Sequence, residues 1–144
     1  MFMGTYNHSV DGKGRFVMPT GFRDLLDGKC VVTKGIDGNS LYIFDIDNWR
    51  EFVERMRELP NSQKKFRIFR EHFIGSAEQI EIDKQGRCLI SLDLRDYAEI
   101  KTEIKLVGDD NKIILWSAES IKAIKKEEEV LDVADIAAET DLRL

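Results

Sequence analysis

Two short segments of the sequence place an aspartate and an arginine four positions apart, with glycine between them. They read Asp-Gly-Lys-Gly-Arg at 11–15 and Asp-Lys-Gln-Gly-Arg at 83–87. The residues that could do chemistry there are Asp11, Lys13, Arg15, Asp83, Lys84 and Arg87. A guanidinium fixed by a nearby carboxylate presents a planar fork of donors that fits a guanine edge or a phosphate. The pattern therefore predicts two DNA-binding loops, in which the lysines contact phosphate.

Tight turns are expected in both loops, because glycine stands at 12, 14 and 86 and tolerates a positive φ. The plainer interpretation is that each Asp–Arg pair only stabilises its own turn at the surface, where an ion pair contributes little. A single match would favour that interpretation. The recurrence of the pattern in a second place favours a functional role.

The two loops belong to an internal duplication. When residues 11–24 are placed over residues 83–96, an offset of 72 (83 − 11), five of the 14 positions are identical. The match continues downstream, where 41–44 lies over 113–116. Self-similarity at a fixed offset indicates two copies of one structural unit. An Arg-Asp pair also recurs, at 23–24 and 95–96, and we expect it to tie elements together or to line an inter-subunit contact.

Each copy has the hydrophobic pattern of a strand, the loop, a second strand, a helical turn, a β-hairpin and a closing helix. The predicted strands are 6–10, 16–18, 30–33, 41–44, 80–82, 88–90, 104–107 and 113–116. The predicted helical segments are 22–26, 46–59, 66–73, 94–98 and one that begins near 117. Residues 63–70 interleave basic and aromatic side chains, as a nucleic-acid stacking surface would. The helical spacing of Phe66, Phe69 and Phe73 favours a buried stripe instead.

A chain of 144 residues is long enough for one compact domain and too short for two ordinary ones, so the copies are expected to share a core. We divide the chain into four parts. They are a first unit at 5–47, a helical connector at 48–75, a second unit at 76–119 and a helical, acidic tail at 120–144, which we expect to be peripheral.

The net charge of −5 and the pI near 5.1 count against simple nucleic-acid binding, which normally goes with a basic domain. Residues 117–144, however, carry eight acidic and four basic side chains, so much of the acidity lies at the C-terminal end. A symmetric assembly would line up many weakly basic loops on one face. The charge therefore weakens the DNA-binding prediction without excluding it.

No residues have the spacing of a catalytic or metal site. His8 and His72 are single histidines in unrelated contexts, with no phosphate-binding loop and no paired nucleophile and base. Cys30 and Cys88 lack neighbouring ligands, so we treat both as small apolar residues. We expect neither an enzyme nor a bound cofactor or metal. The absence of a membrane-length apolar run and of a secretory signal predicts a cytoplasmic protein.

The sequence resembles the MraZ family, bacterial regulators with two tandem SpoVT-AbrB-type units. The resemblance rests on the opening Met-Phe-x-Gly, the Asp-x-Lys-Gly-Arg-x-x-x-Pro segment at 11–19, the second Gly-Arg motif and the segment 107–116, and it covers nearly the whole chain. It implies an α+β fold, namely an AbrB-like, swapped-hairpin-type β-barrel shared by two tandem pseudo-symmetric repeats, with flanking helices.

The resemblance also implies a function. Members of the family are sequence-specific transcriptional regulators, usually repressors, that bind G-containing direct repeats of double-stranded DNA in the promoter of the division and cell-wall gene cluster. It implies a nucleoid-associated, closed homo-oligomeric ring, an octamer or a dodecamer, with no membrane partner. It assigns DNA contact to the six loop residues Asp11, Lys13, Arg15, Asp83, Lys84 and Arg87.

The second copy departs from the pattern, with Gln85 in place of Lys13 and Ser91 in place of Pro19. We therefore hypothesise that the first copy dominates DNA contact and the second dominates assembly. Two alternatives to a specific regulator remain. One is a ring-forming scaffold whose loops only join subunits, and the other is a relaxed AbrB-like binder that discriminates little between DNA sequences.

Overall fold

A computed structural model describes all residues 1–144 and contains eight strands and six helices. In chain order they are β1 (Thr5–Ser9), β2 (Arg15–Val17), α1 (Thr20–Leu26), β3 (Lys29–Lys34), β4 (Leu41–Phe44), α2 (Ile46–Arg57), α3 (Lys64–Phe73), β5 (Glu78–Glu81), β6 (Arg87–Leu89), α4 (Leu92–Tyr97), β7 (Glu103–Asp109), β8 (Lys112–Ser117), α5 (Ala118–Glu128) and α6 (Val133–Ala138). The predicted α+β class is confirmed. The short helix α6, in the tail, was not predicted.

The two copies exchange their first strands. In the six-stranded sheet, whose order is β1-β7-β8-β4-β3-β5, β1 of the first copy pairs with β7 of the second, and β5 of the second pairs with β3 of the first. The equivalent strands β4 and β8 meet at the centre. An internal pseudo-twofold axis therefore passes between them, and each copy contributes a strand to the other's edge.

The equivalent strands β2 and β6 form a separate two-stranded antiparallel sheet, which we call the ribbon. Its central pair, Phe16 opposite Cys88, lies on the same pseudo-twofold axis. Because β2 and β6 hydrogen-bond as a pair of their own, β1 and β5 remain the edges of the larger sheet. A closed barrel, which the resemblance implied, is not found among these strands.

The large sheet is covered on both faces. Leu41 and Ile43 of β4 face a core that includes the ribbon's Phe16 and Cys88, whereas Tyr42 and Phe44 face a second core with side chains from α2, α3 and α5. This explains why the central strands read as unbroken apolar runs, since alternation appears only where one face meets water. The ribbon and the helices α1 and α4 thus lie on one side of the sheet.

The connector consists of two amphipathic helices. Asp45 caps α2 by accepting from the amide of Asn48, and Met56 is buried beneath the helix. The stripe predicted on α3 is only partly buried, because Phe73 is enclosed while Phe69 remains 39% exposed. None of the helices combines the length and the apolar composition that crossing a bilayer requires.

Candidate nucleic-acid interface

The first loop is held together by the carboxylate of Asp11. Its Oδ1 accepts from the backbone amides of Lys13 and Arg15, each at 2.9 Å, and its Oδ2 accepts from the Arg15 Nε at 2.9 Å. The backbone closes the same turn, because the amide of Gly14 donates to the carbonyl of Asp11 at 3.0 Å. One side chain therefore fixes both the turn and the arginine that follows it.

The second loop repeats this arrangement. Oδ1 of Asp83 accepts from the amides of Gln85 and Arg87 at 2.9 and 2.8 Å, and Oδ2 accepts from the Arg87 Nε at 2.7 Å. The amide of Gly86 donates to the carbonyl of Asp83 at 2.9 Å. The two loops thus share their hydrogen bonds even though the intervening side chains differ.

Both arginines use only Nε for the tether. The terminal nitrogens of Arg15 and Arg87 donate to no group in the chain, and the two side chains are 31% and 36% exposed. Each guanidinium is therefore fixed in direction while two NH₂ groups remain available to a ligand. Such a tethered donor loses little conformational entropy when it meets a guanine edge or a phosphate.

The loop environment lowers the pKa of both carboxyl groups below the ordinary value of 3.8. The largest cause at Asp11 is the hydrogen bond from the Arg15 amide, and at Asp83 it is the bond from the Arg87 amide. A hydrogen bond to the charged form favours that form. Both carboxylates are therefore ionised, and able to hold their arginines, at neutral pH.

The ribbon brings the two loops together. Arg15 lies opposite Leu89 and Val17 lies opposite Arg87, so the two arginines are diagonal neighbours across the strands. Diagonal neighbours in an antiparallel pair lie about 7–8 Å apart at Cα. Phe16 and Cys88 point inward, so the outer face of the ribbon consists of two arginines and two apolar side chains.

The lysines stand beside this face without partners. Neither Lys13 nor Lys84 forms an ion pair or a side-chain hydrogen bond within the chain, and both are exposed. They do not occupy equivalent positions, because Lys13 aligns with Gln85 and Lys84 aligns with Gly12. The predicted residues are thus all placed at the two loops, with a different arrangement of the ammonium groups in each.

Each loop is braced by an arginine from the opposite copy. A Cβ on Gly14 would lie 2.6 Å from the Nε of Arg95, and a Cβ on Gly86 would meet the guanidinium of Arg23. Arg95 donates from Nε to the carbonyl of Ile90 at 2.9 Å, while Arg23 donates from a terminal nitrogen to the carbonyl of Met18 at 3.3 Å. The recurring arginines, Arg23 and Arg95, therefore tie elements together within the chain, whereas the side chains of Asp24 and Asp96 are exposed and bond to no group in the fold.

The glycines contribute in different ways. Gly14 and Gly86 have φ values of 90° and 80°, which side chains rarely adopt, and both lie against an arginine. Gly12 does not have a positive φ, and a Cβ there would meet nothing within 4 Å. The prediction was therefore right for positions 14 and 86 and wrong for Gly12, whose counterpart is Lys84.

Other polar groups do not form a site of this kind. His72 contacts the carbonyl of Gly35 at 2.8 Å through Nε2, and no group of three or more His, Cys, Asp or Glu side chains could hold a metal ion. The thiols of Cys30 and Cys88 are buried and free and lie in contact with each other. That contact, together with burial, raises the pKa of the Cys30 thiol. No pattern in the sequence indicated that these two residues meet.

Known proteins similar to this chain all point to one family, and the matches cover most of its length. The family model described as "MraZ protein, putative antitoxin-like" matches residues 1–71 and again 73–144. A relative from Pediococcus pentosaceus is 41% identical over 138 residues, covering 95% of this chain and 94% of its own. A relative from Lachnoclostridium phytofermentans is 44% identical over 119 residues, 83% of each chain. A third, from Desulfitobacterium hafniense, is 40% identical over 117 residues, 81% of each chain. All three are named "Transcriptional regulator MraZ".

Proposed function

This chain belongs to the MraZ family, and from that starting point we propose that it is a DNA-binding transcriptional regulator that acts by binding rather than by catalysis. The observation that carries the proposal is the pair of matching loops, each of which tethers an arginine through Nε and leaves its terminal nitrogens free. The relatives' shared name, transcriptional regulator, supports the same role.

The ribbon suits the major groove of double-stranded DNA, which is wide enough to admit two antiparallel strands. Arg15 and Arg87 would donate to the N7 and O6 atoms of guanine, the acceptors that arginine most often meets there. Asp11 and Asp83, to which the resemblance also assigns DNA contact, would orient these arginines. Lys13 and Lys84 would contact phosphates on either side and set the register of the protein on the duplex.

The finer parts of the proposal come from the family resemblance. We propose a repressor that binds G-containing direct repeats in the promoter of the division and cell-wall gene cluster, in the cytoplasm and associated with the nucleoid. The exchange of β1 and β5 between copies supports a single-chain counterpart of the AbrB-like strand-swapped arrangement, without closure into a barrel. In this scheme the units are 5–47 and 76–119, joined by the connector 48–75 and followed by the tail 120–144.

A homo-oligomeric ring, an octamer or a dodecamer, would place many such ribbons on one face. Each ribbon alone offers few cations on a chain of net charge −5, so repeated weak contacts would have to supply the affinity. Two features support self-assembly. The strand β5 is an open sheet edge, and a groove of about 600 Å³ lies beside it. Six of the ten residues that line the groove are apolar, among them Trp49 and Val53 of α2.

The test compares binding of wild type and Arg15→Ala to the duplex upstream of the protein's own gene and to a scrambled duplex. Arg67→Ala serves as the matched control, because it removes the same charge from an exposed position on α3. Sedimentation of every variant reports the size of the assembly. We expect only Arg15→Ala to lose the preference for the upstream duplex while its assembly stays intact.

Three other results would overturn the proposal. Equal binding of wild type to both duplexes, with a steep salt dependence, would identify a relaxed binder. Assembly without measurable DNA binding would identify a scaffold, in which the loops join subunits. Loss of the assembly in Arg15→Ala would likewise show that the first loop serves subunit contact.

A further inference from the structure

We propose that Val17 and Leu89, on the outer face of the ribbon, read the methyl groups of thymine in the major groove. The inference rests on the proposed function and extends it, because it makes the ribbon a base-reading surface in its own right. Base recognition would then combine guanidinium contacts to guanine with apolar contacts to thymine. The loops alone would specify only the guanines.

The two side chains are exposed on the outer face of the ribbon. Val17 is 42% and Leu89 is 52% exposed, although the residues preceding them in each strand, Phe16 and Cys88, are fully enclosed. Both belong to strands of only three residues, whose outward positions are otherwise arginine. A polar residue would have satisfied the alternation of a half-buried strand equally well.

Their positions are fixed relative to the tethered arginines. Val17 lies directly opposite Arg87, and Leu89 lies directly opposite Arg15. Directly opposed side chains in an antiparallel pair have Cβ atoms about 4.5–5.5 Å apart. Each apolar group therefore lies opposite a tethered arginine and would reach a base next to the one that the arginine contacts. The pseudo-twofold axis relates the two Arg–apolar pairs, so both would make the same kind of contact.

The chemistry of the major groove offers one apolar feature, the C5 methyl group of thymine, and apolar side chains are its usual partners. Phosphates and sugars offer a valine or a leucine no comparable apolar contact. A second copy of this chain is a poorer occupant for the same face. It would have to cover Arg15 and Arg87 together with the apolar groups, and burying a guanidinium whose terminal nitrogens lack partners is costly.

The test uses the duplex upstream of the protein's own gene, prepared once with thymine and once with deoxyuridine in both strands. Deoxyuridine keeps every hydrogen-bonding group of thymine and lacks only the methyl group. Wild type is expected to bind the deoxyuridine duplex about fourfold more weakly for each methyl group that Val17 or Leu89 would otherwise cover. A Val17→Ala, Leu89→Ala double variant should bind the thymine duplex more weakly and show less than about twofold response to deoxyuridine.

The matched control is Ile36→Ala, which removes an apolar side chain, 63% exposed, from the β3–β4 turn and should respond to deoxyuridine as wild type does. Melting temperature and assembly size check that the double variant is intact. The wild-type comparison of the two duplexes needs no variant, so an equal affinity for both would overturn the inference even where the double variant fails to fold.

Two outcomes would overturn the inference alone. In the first, wild type prefers the upstream duplex and binds its thymine and deoxyuridine forms equally well. That result would support the proposed function and exclude the methyl contact. A double variant that still loses as much affinity as wild type on deoxyuridine substitution would place the methyl recognition elsewhere. Wild type with no preference for the upstream duplex would overturn the proposed function and this inference together.

Discussion

The two loops are built by the same hydrogen bonds around different intervening side chains. Asp11 and Asp83 each bind two amides and one arginine Nε at closely matching distances. The differences lie at the positions whose side chains bond to nothing in the fold, where Gly12 and Lys13 of the first loop become Lys84 and Gln85 in the second. The tether is therefore independent of these residues, which are free to adjust how each loop meets a ligand.

The glycines before the arginines should show the largest effect, and they should behave alike in the two loops. Gly14→Ala and Gly86→Ala each force a positive φ on a side chain and push Cβ into an arginine, so we expect the free energy of unfolding to fall by about 1–3 kcal/mol. Gly12→Ala, the matched control, should change it little. Urea denaturation measures all three. A neutral Gly14→Ala would show that the loop can relax, contrary to the structure.

The arginines come next. The equal tethers predict that both Arg15→Ala and Arg87→Ala lose specific DNA binding, and one bidentate contact to guanine contributes about 1–3 kcal/mol of discrimination. Our hypothesis that the first copy dominates predicts the larger loss for Arg15→Ala, because the second copy has Gln85 in place of Lys13 and Ser91 in place of Pro19. Titrations on the upstream duplex give both values. Equal losses in intact assemblies would refute the hypothesis.

The two bracing arginines, Arg95 and Arg23, should produce a smaller difference between the loops. Arg95 bonds Ile90 well at 2.9 Å, whereas Arg23 reaches Met18 only at 3.3 Å and leaves its buried Nε without a partner. We therefore expect Arg95→Ala to loosen the first loop more than Arg23→Ala loosens the second. The measurement is hydrogen exchange at two backbone amides at the ends of the ribbon. The amide of Ile90 donates to the carbonyl of Gly14, and the amide of Met18 donates to the carbonyl of Gly86. The reverse order of exchange would contradict this prediction.

At one aligned position the first loop has Lys13 and the second has Gln85, and each residue can be replaced by the other. Gln85→Lys gives the second loop the ammonium of the first, and Lys13→Gln removes it. We expect the first change to steepen, and the second to reduce, the dependence of log Kd on log salt by about one unit per phosphate contact in each subunit. Preference for the upstream sequence should stay unchanged, since phosphate contacts carry no sequence information. A change in sequence preference would show that Lys13 reads bases.

The smallest difference is expected in the titration of the two carboxyl groups. Their pKa values in the folded chain are lowered, so the tethers contribute stability above the ordinary value of 3.8 and lose it as the pH falls through the folded values. Both loops should therefore stay intact from neutral pH down to about 4. Carboxyl ¹³C shifts of Asp11 and Asp83 report the midpoints. A midpoint above 3.8 at either residue would show that its tether is absent in solution.

The sequence predicted best what is decided locally. Every bond of the Asp-x-x-Gly-Arg tether joins residues within four positions, so the motif itself indicated the geometry. The hairpins followed from their turns in the same way. Gly12 was misread because only the position directly before the arginine needs a positive φ.

What the sequence could not indicate depends on contacts between the copies. Alternation shows which face of a strand is buried and leaves its pairing partner open, so the pattern did not indicate the exchange of β1 and β5. Only the resemblance, through its swapped-hairpin arrangement, implied an exchange between the copies. The same limit applies to the bracing arginines, which recur visibly while their partners lie in the opposite copy. The helical stripe on α3 was overestimated at Phe69, because periodicity does not reveal how much of a stripe a neighbour covers.

The strand exchange also determines when the chain can fold during its synthesis. Ser9 pairs with Glu103, so the first strand leaves the ribosome long before its neighbour in the sheet exists. Topologies dominated by such non-local pairings have a high contact order and fold slowly. Until β7 emerges, the nascent first copy exposes unpaired strand edges of the kind that chaperones shield from aggregation. A message truncated between the copies would therefore yield an aggregation-prone fragment rather than half of a regulator.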